Sequence, residues 1–370
     1  MALLARAREL EALGRSVVHM EIGEPDFVTP QPIVEAGIRA LQQGKTHYTP
    51  AVGLTELREA IAAHYRDRFG VSISPRRIVV TPGASGALQL ILALLVDPGS
   101  QVLMADPGYP CNRNFVLLYE GEPVMVPVNA EHRYQFSASV LQQHWTEKTC
   151  CAMVASPSNP TGTVISRESL EAVLQVVRQG NGHLLVDEIY QNLYYQDEPQ
   201  TALALGDDVF VINSFSKYFG MTGWRLGWLV APEGAIDHLD TLAQNLFLAA
   251  PTPAQHAALA AFQPETRTIL EQRREEFRRR RDFLLPALRE LGFEISVEPQ
   301  GAFYLYADCS RFTGDSFTFA HELLEEAGVA ITPGIDFGQY KASQHVRFAY
   351  TTSMEQLRLG VERIAKFIAR

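Results

Sequence analysis

The sequence predicts an α/β fold: a large domain with a mostly parallel sheet flanked by helices, plus a smaller α+β domain. From about residue 77 onward, short runs that are apolar throughout alternate with helical stretches. Such runs are typical of strands buried on both faces, and strands separated by helices indicate a parallel sheet. Beyond about residue 263, charged helices and short strand-like runs replace this pattern. We therefore expect the large domain at 44–262 and the small domain at 1–43 and 263–370.

The predicted strands of the large domain each end in or are followed by Pro, Gly, Ser or Asp. They are 78–80, 102–104, 124–128, 152–154, 184–186 and 209–212. Helices are predicted at 83–96 and 166–179. Ligands of parallel α/β sheets bind at the carboxyl ends of the strands, so the residues directly after each run are the first candidates for a site.

The small domain is predicted from elements at both ends of the chain. A long charged helix is expected at 266–291, strands at 294–297, 302–307 and 346–350, and a closing helix at 354–369. The N-terminal helical segment is expected to join these elements.

Composition excludes several classes of protein. Of 370 residues, 46% are hydrophobic and 20% charged, which is ordinary for a globular chain and wrong for a disordered one. Lysine plus arginine total 32 against 42 for aspartate plus glutamate, a formal charge of −10. That balance argues against a nucleic-acid partner. The basic run 278–281 follows Glu275 and Glu276 on a predicted helix, so we interpret it as a solvated, ion-paired face.

Cysteine usage and hydropathy point to the cytoplasm. The four cysteines form no Cys-x-x-Cys pair, so neither a disulfide framework nor a metal site is expected, and a reducing compartment fits. Charged residues interrupt the first fourteen positions where a signal peptide would need an apolar core. No apolar run approaches the length of a membrane span, so no membrane partner is expected.

Three motifs follow three consecutive predicted strands of the large domain. They are Ser156 to Gly162, containing Asn159-Pro160-Thr161-Gly162; Asp187-Glu188-Ile189-Tyr190; and Ser214-Phe215-Ser216-Lys217, continuing through Arg225 to Gly227. Each motif alone is typical of a turn, a helix cap or a solvated lysine. Their order and spacing together are far more specific.

In this order the motifs resemble those of the pyridoxal-phosphate-dependent aminotransferases of class I/II, fold type I, the aspartate aminotransferase superfamily. The resemblance runs from Gly23-Glu24-Pro25-Asp26-Phe27 to Arg347-Phe348-Ala349-Tyr350. It implies pyridoxal 5′-phosphate as cofactor and amino transfer from an L-amino acid to a 2-oxo acid by a ping-pong mechanism. It also implies that Lys217 forms a Schiff base with the cofactor and afterwards carries the proton.

The resemblance assigns the polar groups around the cofactor ring. Asp187 would face the ring nitrogen and keep it protonated. A carboxylate about 4 Å away, at an effective dielectric near 20, contributes on the order of 4 kcal/mol, or roughly three pK units. Tyr190 and Asn159 would hydrogen-bond the phenolic oxygen of the cofactor, stabilising its anion. Tyr109 would stack on the ring.

The resemblance also assigns the anion sites. Gly83, Ala84 and Ser85 open a predicted helix, whose N-terminus suits a phosphate, and Ser214, Ser216 and Arg225 would complete that phosphate site. Arg347 would bind the substrate α-carboxylate as a two-pronged ion pair, with Gly23 and Asn159 beside it. Tyr48 would reach the phosphate of a neighbouring subunit, which implies a homodimer with shared active sites.

Three questions stay open at this level. The stretch 244–251 contains no arginine, so an apolar or aromatic amino donor is favoured over aspartate. A β-eliminating carbon–sulfur lyase on the same fold is an alternative enzyme. A cofactor-sensing regulator is a third reading, less favoured because such proteins carry a winged-helix domain ahead of this region, and 22 residues precede Gly23 here.

Overall fold

The computed structural model describes residues 2–195 and 200–369 and contains a seven-stranded sheet together with two small sheets. The strands are β1 Val18–His19, β2 Ile78–Thr81, β3 Gln101–Asp106, β4 Glu122–Pro127, β5 Thr149–Ala155, β6 His183–Asp187, β7 Phe210–Ser214, β8 Gly227–Val230, β9 Tyr304–Asp308, β10 Val329–Ala330, β11 Thr332–Pro333 and β12 His345–Ala349. The α-helices are α1 Ala2–Ala12, α2 Gln31–Gln42, α3 Thr55–Phe69, α4 Gly83–Leu95, α5 Pro110–Leu118, α6 Ala138–His144, α7 Arg167–Gln179, α8 Ile236–Leu246, α9 Thr252–Ala258, α10 Pro264–Leu291, α11 Ser316–Glu322 and α12 Met354–Ile368.

The large sheet has the strand order β2-β8-β7-β6-β5-β3-β4. Six of its strands run in the same direction, and β8 runs antiparallel to both of its neighbours. This confirms the predicted α/β architecture and all six predicted strands of the large domain. In register, Ala155 of β5 pairs with Asp187 of β6, and Asp187 pairs with Ile212 of β7. The carboxyl ends of these three central strands therefore meet at one edge of the sheet, where the three sequence motifs begin.

Two details of the sheet differ from the prediction. The sequence analysis does not predict the antiparallel strand β8, because this strand begins at Gly227, where the glycine-rich motif ends. Burial on both faces is wrong for β4, an edge strand in which Val124 and Met125 are only half-buried. An edge strand has a neighbour on one side only, so its apolar side chains lose part of their cover.

The small sheets also account for most of the expected C-terminal elements. Strands β11, β12 and β9 form an antiparallel sheet, and β1 pairs in parallel with β10, which joins the N-terminal segment to the C-terminal part. The predicted strand 294–297 is wrong: Glu294 makes only an isolated antiparallel bridge with Asp308. Beyond it, residues 300–302 hydrogen-bond the chain at Leu193 and Tyr195 instead of continuing beside β9. The division at residues 44 and 262 stays a prediction.

The basic run on α10 lies partly in the interior. Arg278 is paired with Glu275 at the surface, as expected, whereas Arg280 and Arg281 are buried. Arg280 donates two hydrogen bonds, of 2.8 and 3.1 Å, to the carboxylate of Asp26. The solvated-face interpretation is therefore wrong for these two residues, since successive helical positions rotate by about 100° and four in a row cannot share one face. The ion pair ties α10 to the segment that follows β1.

A buried carboxylate joins the loop after β3 to the loop after β11. Asp106 accepts hydrogen bonds from the backbone N–H groups of Gln339 (2.9 and 3.1 Å) and Tyr340 (3.1 Å). Gly338 leaves the room for this contact, since a Cβ there would lie 1.7 Å from the Asp106 carboxylate. The backbone N–H of Gly108 donates to the Phe337 carbonyl at 2.9 Å. These bonds fix the start of α5 against the small sheets.

Among the described residues, no helix combines the length and the apolar character needed to cross a bilayer. Over the same ranges, no cluster of three or more His, Cys, Asp or Glu side chains is arranged to hold a metal ion.

Candidate active site

The candidate site lies at the carboxyl ends of β5, β6 and β7, where residues of β9 and β12 contact it. The loop after β5 brings Asn159, the last residue of β6 is Asp187, and the turn after β7 brings Lys217. Within that turn, the backbone N–H of Ser216 donates to the Ser214 hydroxyl at 3.0 Å, which shapes it locally. Strand β12 adds Arg347 from the opposite side.

Lys217 is the only lysine that the structure brings to this position among the described residues. Its Nζ donates to the backbone carbonyl of Gly23 at 2.7 Å and lies 5.8 Å from the centre of the Tyr190 ring. The pKa of Lys217 is lowered to about 8, mainly by desolvation; Arg347 and Arg225 contribute to the lowering, while Glu24 and Asp187 oppose it. An amine with this pKa is substantially neutral near pH 8 and can act as a nucleophile.

Asp187 is a buried carboxylate with few partners. One oxygen accepts a hydrogen bond from the backbone N–H of Ile189 at 3.0 Å, and no lysine, arginine or histidine of the described chain lies within ion-pair distance. Burial raises the pKa of Asp187 to about 6. Such a group is stabilised by any cation placed beside it. The neighbouring Glu188 is bonded instead to Thr201 (3.0 Å) and to the backbone N–H of Ala202 (2.7 Å).

Arg347 is a buried cation that no carboxylate of the described chain neutralises. Its guanidinium donates to Asn159 Oδ1 (2.8 Å), to the backbone carbonyl of Glu21 (2.6 Å) and to the Thr332 hydroxyl (3.2 Å). Its Nε is buried without any hydrogen-bond partner. Because a buried charge is normally paired, this guanidinium can accommodate an anion that the chain itself does not supply.

A second anion site is formed at the N-terminus of α4. Gly83 begins this helix with a φ of +70°, and the position its Cβ would take is 2.6 Å from Arg225 Nη2. The Arg225 guanidinium therefore lies beside the first turn of α4, which contains Ala84 and Ser85 and where helical N–H groups lack partners within the helix. Within the described ranges, the only hydrogen bond that the Arg225 guanidinium donates is to the Thr222 carbonyl, at 3.0 Å. Helix N-termini and guanidinium groups both favour phosphate.

The two remaining expected residues lie at the edges of the site. Tyr109 directly precedes α5, is 37% exposed, and is fixed by the Asp106 and Gly108 contacts described above. Tyr48 is 82% exposed, and within the described ranges its side chain makes no hydrogen bond or ring contact with another site residue. One chain therefore brings together all the expected residues except Tyr48.

The most important residue that the sequence analysis missed is Tyr304. Its hydroxyl lies 2.8 Å from that of Tyr190, and the Arg347 guanidinium lies 4.2 Å from its ring centre. In the antiparallel pair β9–β12, Arg347 is opposite Tyr306, so Tyr304 is its diagonal neighbour on the same face. The sequence does contain a signal for this contact: in Tyr304-Leu305-Tyr306 the two tyrosines alternate with a leucine, so both lie on one face of a strand, and that strand pairs with the strand of Arg347.

Comparison with known proteins shows which family the chain belongs to. Residues 15–364 match the family described as aminotransferase class I and II. The chain is 39% identical over 371 residues to the (5-formylfuran-3-yl)methyl phosphate transaminase of Methanocaldococcus jannaschii, covering 100% of this chain and 96% of that protein. It is 37% identical to the valine–pyruvate aminotransferase of Mycobacterium tuberculosis, covering 98% of this chain and 94% of that protein.

Solved structures give the same result. An aminotransferase from Mycobacterium tuberculosis superposes with a TM-score of 0.96 at 36% identity, covering 100% of this chain and 96% of that one. The aspartate aminotransferase of Thermus thermophilus with maleate superposes with a TM-score of 0.93 at 38% identity, covering 99% and 95% of the two chains. The chain therefore belongs to the aminotransferase class I and II family, and its fold is that of aspartate aminotransferase.

Proposed function

We propose that this aminotransferase uses pyridoxal 5′-phosphate bound to Lys217 and moves an amino group from an L-amino acid to a 2-oxo acid by a ping-pong mechanism. The observation that carries the proposal is that one cleft contains a reactive amine, a buried carboxylate and a buried guanidinium whose charges are not neutralised by other side chains of the described residues. Lys217 has a lowered pKa; within the described part of the chain, Asp187 is a buried carboxylate with no cation at ion-pair distance, and Arg347 is a buried cation with no carboxylate partner.

The residues around the cleft suit both the phosphate group and the ring of this cofactor. The open first turn of α4 with Arg225 suits the phosphate, and the Ser214 and Ser216 hydroxyls stand beside Lys217 in the adjacent turn. Asp187 suits a protonated ring nitrogen, because a cation there would relieve its desolvation. Tyr190 and the Asn159 amide nitrogen would donate to the phenolic oxygen, and Tyr109 would stack on the ring.

The chain's own residues then hold and move the proton. When bound, pyridoxal 5′-phosphate supplies an aldehyde for the amino group and an electron-withdrawing ring. Lys217, neutral near pH 8, would take the proton from the substrate α-carbon and deliver it to the former aldehyde carbon of the cofactor, as its lowered pKa allows. Asp187 holds the ring proton in place. Arg347 orients the substrate by its α-carboxylate, which would lie beside the backbone of Gly23.

The substrate side chain is proposed to be apolar or aromatic. Within the described chain, the cations that the cleft brings together are Lys217, Arg225 and Arg347, and each already has a role toward the cofactor or the α-carboxylate. A carboxylate in the substrate side chain would need a cation other than these three residues. The relatives named above act on substrates as different as valine and a furan phosphate, so family membership alone does not choose the donor.

We propose a cytoplasmic protein, in line with its cysteine usage. We also propose a homodimer with shared active sites, because Tyr48 is exposed and touches no other site residue within the described ranges of one chain. Mixing Tyr48→Ala with Lys217→Ala chains tests this proposal. Hybrid dimers would contain one site with both residues intact, so part of the lost activity should return. Activity that stays at the level of the separate variants would contradict shared sites.

The function is tested by half-reactions. The cofactor-loaded protein is mixed with each amino acid in turn, and the absorbance of the bound cofactor is followed as it takes up the amino group. Conversion with at least one donor is expected, and the fastest donor identifies the substrate class. No conversion with any donor would refute the proposal. Steady release of pyruvate and ammonia from cystathionine, without an oxo acid, would favour the lyase.

Arg347→Gln is expected to weaken substrate binding far more than it changes the folded structure. Two charge-assisted hydrogen bonds to a carboxylate contribute about 3 kcal/mol or more, which corresponds to a loss of at least about a hundredfold in kcat/KM. The measurement is steady-state kinetics with the best donor, together with the melting temperature. Arg358→Gln on α12, whose guanidinium lies over the Phe283 ring, is the control. An equal loss in both variants would contradict the role of Arg347.

Capture of the cofactor by the cofactor-free protein is expected to accelerate with pH. Below pH 8 the Lys217 amine is protonated and cannot attack an aldehyde, so the rate should fall about tenfold per pH unit. Stopped-flow absorbance between pH 6 and about 9.5 measures the midpoint, which should lie near 8. A midpoint near the ordinary lysine value of 10.5 would contradict the lowered pKa.

A further inference from the structure

A single tyrosine connects three residues of the proposed site that come from distant parts of the chain. Tyr304 is buried, with 1% of its surface exposed. Its hydroxyl lies 2.8 Å from the Tyr190 hydroxyl, and its ring centre lies 4.2 Å from the Arg347 guanidinium carbon. A Cβ on Gly23 would lie 2.2 Å from the same hydroxyl oxygen. Tyr304 therefore occupies the space that a side chain at position 23 would need.

The hydrogen bond between the two tyrosines has a definite direction once a ligand engages Tyr190. Burial raises the pKa of both hydroxyl groups above the ordinary tyrosine value, so both carry their protons. If Tyr190 donates its proton to an acceptor oxygen in the cleft, its own oxygen is left to accept from Tyr304. A hydroxyl that accepts a hydrogen bond becomes a stronger donor.

We propose that Tyr304 is a positioning residue: its hydroxyl orients and polarises that of Tyr190, its ring supports the Arg347 guanidinium, and its volume requires glycine at position 23. The inference rests on the proposed function, since it acts through residues given roles there. It adds a contact that none of the sequence motifs contains. The support at Arg347 is a cation–π contact, which Phe337 continues on the far side at 4.7 Å.

Tyr304→Phe separates the hydroxyl from the ring. The ring, and with it the Arg347 contact, is kept, whereas Tyr190 loses the donor that polarises it. Tyr190 then stabilises the cofactor anion less, so the pH midpoint of the bound cofactor's absorbance should rise by about half a unit to one unit. Spectrophotometric titration of the cofactor-loaded protein measures this midpoint without turnover. Tyr350→Phe, which removes another fully buried hydroxyl outside the site, should leave it unchanged.

Gly23→Ala gives an independent test of the steric part. In the parent protein the new methyl group meets the Tyr304 hydroxyl at 2.2 Å, but once that oxygen is removed the nearest atom is the ring carbon Cζ at 3.2 Å. The increase in KM caused by Gly23→Ala should therefore be at least about fivefold smaller when Tyr304→Phe is also present. Gly234→Ala, where no atom lies within 4 Å of the added Cβ, is the control.

Different results would contradict the proposed function and the proposed role of Tyr304. If the parent protein takes up no cofactor or shows no half-reaction, the proposed function is wrong. If the parent protein reacts, but Tyr304→Phe leaves the absorbance midpoint unchanged and the Gly23→Ala effect is equal in both backgrounds, the role of Tyr304 is overturned. Folding of each variant is verified by its melting temperature, which Tyr304→Phe should alter little because the ring remains in the core.

Discussion

Lys217→Arg is expected to reduce the amino-transfer rate by at least about 10⁴-fold. A guanidinium keeps the positive charge but cannot lose its proton in a protein, so it neither attacks an aldehyde nor moves a proton at the α-carbon. Proton transfer by a placed side chain alone accounts for about 10² to 10⁴ in rate, and the covalent function is lost in addition. Single-turnover absorbance measurements with the best donor give the rate.

The control for this change is Lys366→Arg, which replaces an exposed lysine paired with Glu362 on α12. It should keep the parental rate. Borohydride treatment of the cofactor-loaded parent, followed by peptide mapping, should place the label on Lys217. A label on a different lysine, or a Lys217→Arg protein that turns over at the parental rate, would remove the basis of the proposed mechanism.

Local signals were sufficient for the large sheet and for the residues at its carboxyl edge. Each central strand is an apolar run closed by a polar residue, so both the strand and the position of Asp187 or Lys217 at its end can be predicted without knowing the partner strand. Strand β8 was different. Its pairing with β2 joins residues about 150 positions apart, and its sequence continues directly from a glycine-rich motif.

The network around Arg347 could not be predicted from motifs for a related reason. Its partners come from the backbone of Glu21, from Thr332 and from Tyr304, which belong to three separate stretches of chain. Every residue has a backbone carbonyl, so the type of residue at position 21 does not indicate that its carbonyl accepts this hydrogen bond. The sequence shows Tyr304 alternating with Tyr306 on a predicted strand, but which position lies next to Arg347 is known only from the register of β9 against β12.

Asp187→Asn is expected to reduce kcat by roughly 10³-fold while cofactor affinity changes much less. The carboxylate contributes on the order of 4 kcal/mol to holding the ring proton, and that stabilisation is required for reaction, whereas the phosphate site and Lys217 still retain the cofactor. The measurements are kcat with the best donor and the apparent Kd of the cofactor. A turnover within tenfold of the parent would contradict the role of Asp187.

Glu188→Gln is the matched control, because the two acidic residues are neighbours in sequence and both are buried. Burial raises the pKa of Glu188 to about 8, so its side chain is mostly protonated at neutral pH, and a neutral amide of the same shape should replace it with little effect on rate. An equal loss of kcat in both variants would indicate a general effect of altering this part of the chain rather than a specific role for Asp187.

The same Asp187→Asn change should stabilise the protein when no cofactor is bound. The folded-state pKa of Asp187 is raised from 3.8 to about 6, so the folded protein holds the proton more tightly than the unfolded chain, and stability falls as pH rises from about 4 to 6. Above that range the charged carboxylate destabilises the fold by about 3 kcal/mol. Asparagine removes this penalty, so the cofactor-free variant should melt at a higher temperature than the parent at pH 7.5, and the difference should vanish near pH 4. A lower melting temperature at pH 7.5 would mean that Asp187 is held by a compensating charge and is not kept for a cation that arrives with the cofactor.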